Sequence, residues 1–244
     1  MNTDIDYNTL PDCWKEFYEV LAAGVNRVIL YGPPGTGKTY AGLRVGTGNA
    51  GAYRVICSEE MTEANVVGHW MPSSSGAWSW NEGAVIQAWE GDGVRGGRVV
   101  ADEIDKASGD VLSTLLAMFD SDDSAEWKHP ATGKTMRPRE DFSVIMTTNL
   151  EQMRDLPTAL KDRFPVAIRI STPHPDALKV LSADLRSAAA SSADADPARR
   201  FSIRAFHSFD KLRKQMGNER AAKIIFGKYA GDIIDAMRVS GVAA

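Results

Sequence analysis

One run of residues, Gly32-Pro33-Pro34-Gly35-Thr36-Gly37-Lys38-Thr39, constrains this chain more than any other feature. It fits G-x-x-x-x-G-K-[ST] at every fixed position, and the context is the one that motif requires. Before it lies the short apolar run Arg27-Val28-Ile29-Leu30-Tyr31, which suits a strand buried on both faces of a parallel sheet. After it a helix is expected to begin near Lys38. The glycines let the backbone curl so that successive N–H groups face inward and bind phosphate oxygens. The helix N-terminus adds about half a positive charge at the same place. Lys38 is then placed to reach the β- and γ-phosphates of a nucleotide, and the Thr39 hydroxyl to ligate Mg²⁺. The residues expected to touch nucleotide are Gly32, Pro33, Pro34, Gly35, Thr36, Gly37, Lys38, Thr39 and Tyr40. A Gly/Pro-rich turn without phosphate chemistry is the plain alternative, and the Lys-Thr pair with both flanking elements argues against it.

A second motif supplies the partner. In Val99-Val100-Ala101-Asp102-Glu103 a buried strand ends in two acids. The strand's end puts Asp102 at the carboxyl edge of the sheet, where it can hold Mg²⁺, usually through water. Glu103 points differently and can polarise a water for attack on a γ-phosphate. Two helix-capping acids before Ser108 are the alternative reading of this pair.

The remaining pattern alternates strands with helices. Helical spacing of Trp14, Phe17, Tyr18 and Leu21 predicts a helix over 10–23, and strands are expected at 53–57, 98–101, 142–146 and 166–170. Helices are expected at 83–90 and 108–119, and glycines make 46–51 a loop. That order argues for a parallel α/β sheet. From Pro173 onward only helical patterns remain, interrupted by a Ser/Ala/Asp stretch at 188–198 that reads as a linker. The expected division is therefore 1–173 and 174–244.

With these motifs in place, the chain resembles the AAA+ ATPases and, within them, the MoxR-type branch that also holds the CbbQ/NorQ and McrB-like ATPases. Thr147-Thr148-Asn149 looks like the first sensor, which implies that Asn149 orients the attacking water. The run from Leu156 through Arg163 to Phe164 is similar to the family's L-P-x-A-L-x-D-R-F box, which implies that Arg163 acts on the nucleotide of a neighbouring subunit. Ser202-Ile203-Arg204-Ala205 resembles the second-sensor box, which implies that Arg204 reaches the γ-phosphate from a lid. The plain alternatives are a turn cap for Asn149, a surface arginine for Arg163 and a solvated helix-face arginine for Arg204. Lys161 stands evenly between a surface lysine and a second contact to the neighbour's phosphates. The resemblance implies a P-loop NTPase fold: a three-layer αβα domain with a parallel five-stranded sheet, followed by a small all-α lid. It further implies ATP and Mg²⁺ as cofactors and a homo-oligomeric ring, most often a hexamer. A partner bearing a von Willebrand A domain and a remodelled protein client go with the branch.

Two excursions, at 69–81 and 127–139, correspond to hairpins that face a pore or a partner in that branch. The first carries Trp70, Trp78 and Trp80, the second Lys128, Lys134, Arg137 and Arg139. Gripping a partner and simple cross-strand pairing of tryptophans are both open for the first. Glycine-rich 46–51 and 91–97 depart from the family norm without touching a phosphate-contacting position.

Composition narrows the rest. With 28 Lys and Arg against 32 Asp and Glu, the net charge of −4 disfavours a surface coated by nucleic acid. Hydrophobic residues at 43% and charged ones at 25% exclude disorder of the whole chain. The two cysteines, Cys13 and Cys57, are too few for a disulfide framework and read as buried small residues. The four histidines, His69, His129, His174 and His207, lack metal-site spacing. The polar, acidic N-terminus does not read as a signal peptide, and no apolar run approaches the roughly 20 residues of a membrane span, so a cytoplasmic location is the default expectation. Rival readings are a nucleotide-locked scaffold with incidental turnover and a GTP-driven, nucleic-acid-associated motor.

Overall fold

A computed structural model describes residues 7–74, 76–107, 109–121, 123–193, 195–196 and 199–242. The central sheet has five strands: β1 (Arg27–Tyr31), β2 (Ala52–Ile56), β5 (Arg98–Asp102), β8 (Ser143–Thr147) and β9 (Val166–Arg169), in the spatial order β2-β5-β8-β1-β9. Its pairings β2 with β5, β5 with β8 and β8 with β1 are parallel, with Val55 opposite Ala101, Val99 opposite Val144 and Val28 opposite Ile145. Every residue of β5 is buried, as a strand covered on both faces must be.

Alternation along the strands makes the layers. Val99, Ala101, Val144 and Met146 join one core with helices α3 (Glu63–Val67), α4 (Ala84–Glu90), α5 (Gly109–Met118) and α6 (Thr158–Arg163). Val100 and Ile145 point the other way, toward α2 (Lys38–Arg44). A side-chain carbon on Gly42 of α2 would lie 3.3 Å from both of them, so this helix rides close to the sheet because it carries glycine there. The result is the expected three-layer P-loop arrangement with a helical C-terminal region. Among the described residues no helix is long and apolar enough to cross a membrane.

By compactness the chain forms two units. One comprises Phe17–Tyr31 and Thr39–Ile168, the other Met1–Glu16, Gly32–Lys38 and Arg169–Ala244. The second unit contains α7 (Pro175–Lys179), α8 (Ala183–Ala193), α9 (Ile203–Met216), α10 (Asn218–Phe226) and α11 (Ala230–Val242) around a core of its own, with Phe206, Phe209 and Phe226 at its centre. The expected linker at 188–198 is corrected here: α8 continues through Ala193, burying Ala188 and Ala189. Alanine is the strongest helix former, and its small side chain lets neighbouring helices approach. Residues 194, 197 and 198 lie outside the described part of the chain, as does Ser108, where α5 was expected to start. The short helix α3 was not expected from the sequence. The first excursion is an antiparallel hairpin, β3 (Gly68–Pro72) with β4 (Trp78–Glu82), and the second pairs β6 (Trp127–Lys128) with β7 (Thr135–Met136).

Two arginines at the feet of central strands hold helix ends. Arg98 opens β5 and donates to the carbonyls of Gly42 at 3.1 Å, Val45, and Gly46 at 2.9 Å, and to the Ser143 hydroxyl at 3.2 Å. Those carbonyls belong to the end of α2 and the turn after it, where no intrahelical donor remains. Burial pulls the Arg98 pKa down to about 10, still far above neutrality. Arg27 opens β1 and does the same for α5, donating to Phe119 O at 3.0 Å and Asp120 O at 2.9 Å. Replacing Arg98 by leucine leaves these buried acceptors unpaired and should cost about 2 to 4 kcal/mol in urea unfolding. A loss within the ordinary surface range of about 0.5 kcal/mol would contradict this role.

Candidate functional site

The parallel sheet brings three strand ends to one edge: Tyr31 of β1, Asp102 of β5 and Thr147 of β8. Thr39 lies in the same unit, and there the acid motif meets the hydroxyl expected to ligate Mg²⁺. Thr39 Oγ1 donates to Asp102 Oδ1 at 2.7 Å, and the Thr147 hydroxyl donates to the same oxygen at 2.5 Å. The other oxygen, Oδ2, accepts Nε of Arg54 at 3.1 Å and Nη2 of Arg54 more closely still. Burial pushes the Asp102 carboxyl up, but the three side chains that donate to it and the Arg54 charge outweigh burial and hold it below the ordinary carboxylate range.

Arg54 was not singled out in the sequence. It lies opposite Val100 in the β2–β5 register, on the face that Val100 and Asp102 share, and that register is set by the sheet.

Glu103 follows in the left-handed backbone region, at φ 57° and ψ 46°. A non-glycine residue there costs of order 1 kcal/mol, and its neighbour Ile104, 1% exposed, anchors the turn in the core. The Glu103 carboxylate accepts Asn149 Nδ2 at 3.2 Å on one oxygen and Lys106 Nζ at 2.5 Å on the other. Asn149 and Glu103, 46 residues apart in the chain, are thus brought together. Thr148, beside it, donates to Asp105 at 2.6 Å. Cys57 is buried beneath the acids, its N–H donating to Asp102 O at 2.9 Å. Burial first, then the charges of Asp102, Asp105 and Glu103, push its thiol up to about 12, so it stays protonated and unreactive.

The loop Gly32–Lys38 belongs to the other unit. Lys38 is 5% exposed and turns back over its own loop, donating to Gly32 O at 3.0 Å and Pro33 O at 2.7 Å. Thr36 Oγ1 also donates to Pro33 O, at 3.2 Å. Gly35 holds φ +78°, and a side-chain carbon there would come within 2.5 Å of Ser202 Cβ. The start of α9 thus abuts the loop within this unit. Ser202 caps that helix by accepting from Ala205 N, and Arg204, in the first turn, is exposed. Beneath the loop lies His174, 1% exposed. Its N–H donates to Thr36 O at 3.0 Å, its Nδ1 accepts Asp176 N at 3.2 Å, and its ring meets Trp14 edge-on at 4.8 Å. Trp14 is itself fixed by donating to Thr172 O at 2.8 Å. Neither residue was linked to the phosphate loop in the sequence.

The other expected residues are more dispersed. Arg163, the last residue of α6, is partly exposed, with Nε 3.3 Å from Asp120 Oδ2 and Nη1 3.3 Å from Ala159 O. Tyr40 faces outward on α2 and lies under the Arg44 guanidinium at 5.1 Å. In the hairpins, Trp80 faces its cross-strand partner Trp70 at 5.7 Å and also meets Trp127 and His129 of the second hairpin at 5.9 and 5.8 Å. The two excursions therefore pack on each other. Trp78 alone of these tryptophans is as much as 65% exposed.

The donor chemistry suits a hard cation, since a hydroxyl beside a carboxylate is the oxygen set by which Mg²⁺ is usually held. The adjacent Glu103, with an amide on one oxygen, suits a base that acts on water.

The sequence has relatives among known proteins. The family described as AAA domain (dynein-related subfamily) matches residues 27–164, more than half of the chain. A Lon protease from Magnetococcus marinus is 31% identical over 69% of this chain and 21% of its own length. The denitrification regulatory protein NirQ of Stutzerimonas stutzeri is 26% identical over 60% of this chain and 52% of its own. The chain thus spans a fifth to about half of these curated relatives. The crystal structure of NtrX from Brucella abortus superposes with a TM-score of 0.53 at 15% identity, covering 91% of this chain and 51% of that one, a likeness of fold.

The buried histidine makes the phosphate loop's support sensitive to pH. Burial pushes the His174 pKa below its ordinary value, helped by Lys179 and opposed by Asp176. The unfolded chain then takes up the proton first as pH falls, so His174 contributes full stability above about pH 6.5 and loses it progressively below. His174→Asn, which keeps an acceptor for Asp176 N, should show a shallower fall in melting temperature between about pH 7.5 and 5.5 than the parent. Parallel curves would refute this.

Proposed function

We propose that this chain, which belongs to the AAA domain family (dynein-related subfamily), is a MoxR-type ATPase that hydrolyses ATP in an oligomeric ring and remodels a partner protein. Membership supports nucleotide binding directly. The observation that carries the catalytic reading is the pair of contacts at one sheet edge, Thr39 to Asp102 and Asn149 to Glu103.

In this reading the backbone of Gly32–Lys38 and the Lys38 ammonium hold the phosphates, and Lys38 exchanges its two loop carbonyls for phosphate oxygens. Thr39 and Asp102 hold Mg²⁺, which when bound neutralises phosphate charge. Glu103 draws a proton from the attacking water and Asn149 fixes that water's position. Both Glu103 oxygens are engaged at rest, so the base becomes available when Lys106 releases it. Residues 1–173 form the nucleotide-binding body and 174–244 the lid, from which Arg204 meets the γ-phosphate. The abutment of Ser202 on Gly35 supports that placement, since it sets the start of α9 against the phosphate loop. Arg163 serves the neighbouring subunit and exchanges Asp120 for that subunit's nucleotide. The hairpins engage the client through the exposed Trp78 end, while Trp80 and Trp127 tie the two hairpins together. NirQ's regulatory name and its partial match support a role in activating another protein.

Binding and turnover separate the parts. Lys38→Ala should abolish nucleotide binding, measured by calorimetry with ATP and GTP in parallel. Undiminished affinity overturns the proposal. Glu103→Gln should bind normally and lose about 10²- to 10⁴-fold in turnover.

Shared sites make a further demand. Arg163→Ala should fall by about 10³-fold or more alone. Mixed with Glu103→Gln protein it should regain part of its rate, because a mixed ring contains interfaces with both an intact base and an intact arginine. Mixtures with no more activity than the sum of their parts would refute the trans assignment.

A further inference from the structure

Asp102 has two carboxylate oxygens, and they are used unequally. Oδ1 accepts two hydroxyl protons, from Thr39 at 2.7 Å and Thr147 at 2.5 Å, which fills its two lone pairs. An ion or an ion-bound water reaching Asp102 must therefore use Oδ2. That oxygen carries both donors of Arg54, and among the described residues Asp102 is the partner of this guanidinium. The Arg54 side chain is 44% exposed whereas that of Asp102 is 9% exposed, so the arginine can swing into water while the acid stays in place.

We infer that Arg54 is a built-in competitor for the divalent cation, a positioning residue that covers Asp102 Oδ2 until the ion and nucleotide arrive together. The inference rests on the nucleotide reading of the site and adds its regulation. With the oxygen covered, Asp102 stays ionised and aimed at Thr39 by two hydroxyls, and the buried acid is never left without a counter-charge. Entry of a cation requires the guanidinium to leave, because two positive groups on one oxygen repel each other. Arg54 thereby raises the cation concentration at which nucleotide is held tightly. A purely structural ion pair predicts the opposite, since losing it would loosen Asp102 and weaken the cation.

The test is a Mg²⁺ titration of binding of a fluorescent non-hydrolysable ATP analogue, which reads affinity without turnover. Arg54→Met should lower the half-saturating Mg²⁺ concentration about fivefold, the scale of one partly exposed ion pair. Arg54→Lys, a point charge without paired donors, should fall between Arg54→Met and the parent. Melting temperatures in the absence of nucleotide show that each variant is folded, and Arg54→Lys alone decides the matter if Arg54→Met is not. An unchanged or raised half-saturation in folded variants overturns the inference and leaves the nucleotide reading standing. A parent protein whose analogue binding ignores Mg²⁺ overturns the cation site itself, and the role of Arg54 with it.

Discussion

One carboxylate ties the functional edge of this protein together. Asp102 accepts from Thr39 at the start of α2, Thr147 at the end of β8 and Arg54 on β2. Each of these elements comes from a different stretch of the chain, and each loses a charge-assisted hydrogen bond if the acid is removed. The group is mostly buried, so its ionisation depends on those donors being present. The same oxygens that stabilise the fold at this edge are the ones chemistry at the site would use.

The opposite edge follows the complementary rule. In a β-α-β crossover the helix runs back against its strands, so helix starts gather at the carboxyl edge of the sheet and helix ends at the amino edge. Helix ends present unpaired carbonyls and partial negative charge. Arg98 and Arg27, each the first residue of a buried strand, meet those ends with guanidinium donors. Cations at the feet of the strands answer the orientation of the helices.

Much of this was written in the chain's order. The apolar runs of β1, β5 and β8 and the G-x-x-x-x-G-K-T loop between strand and helix identify a parallel sheet with a phosphate loop, because buried strands and tight glycine turns are local requirements. The hairpins at 68–82 and 127–136 were visible in tryptophans and turn residues, although their mutual packing through Trp80 was not. The Ser/Ala/Asp stretch misled, since alanine-rich sequence serves a solvated linker and a packed helix equally well until its neighbours are known. The first residues of strands misled in another way. Arg27 and Arg98 look like polar boundaries, yet both are more than 90% buried, and what buries them is a helix end tens of residues away.

Local chemistry and chain geometry therefore divide the determination of this protein. The sequence by itself singled out Lys38, Thr39, Asp102 and Glu103, because they sit in motifs recognisable from their neighbours along the chain. Tertiary structure alone decided the company they keep: Arg54 on Asp102, Asn149 on Glu103, and His174 and Ser202 against the loop Gly32–Lys38. Such pairings depend on strand register, on which face a side chain shares and on where a distant helix begins. Those quantities are fixed only when the sheet closes, since a one-residue slip in a strand carries every side chain to the other face.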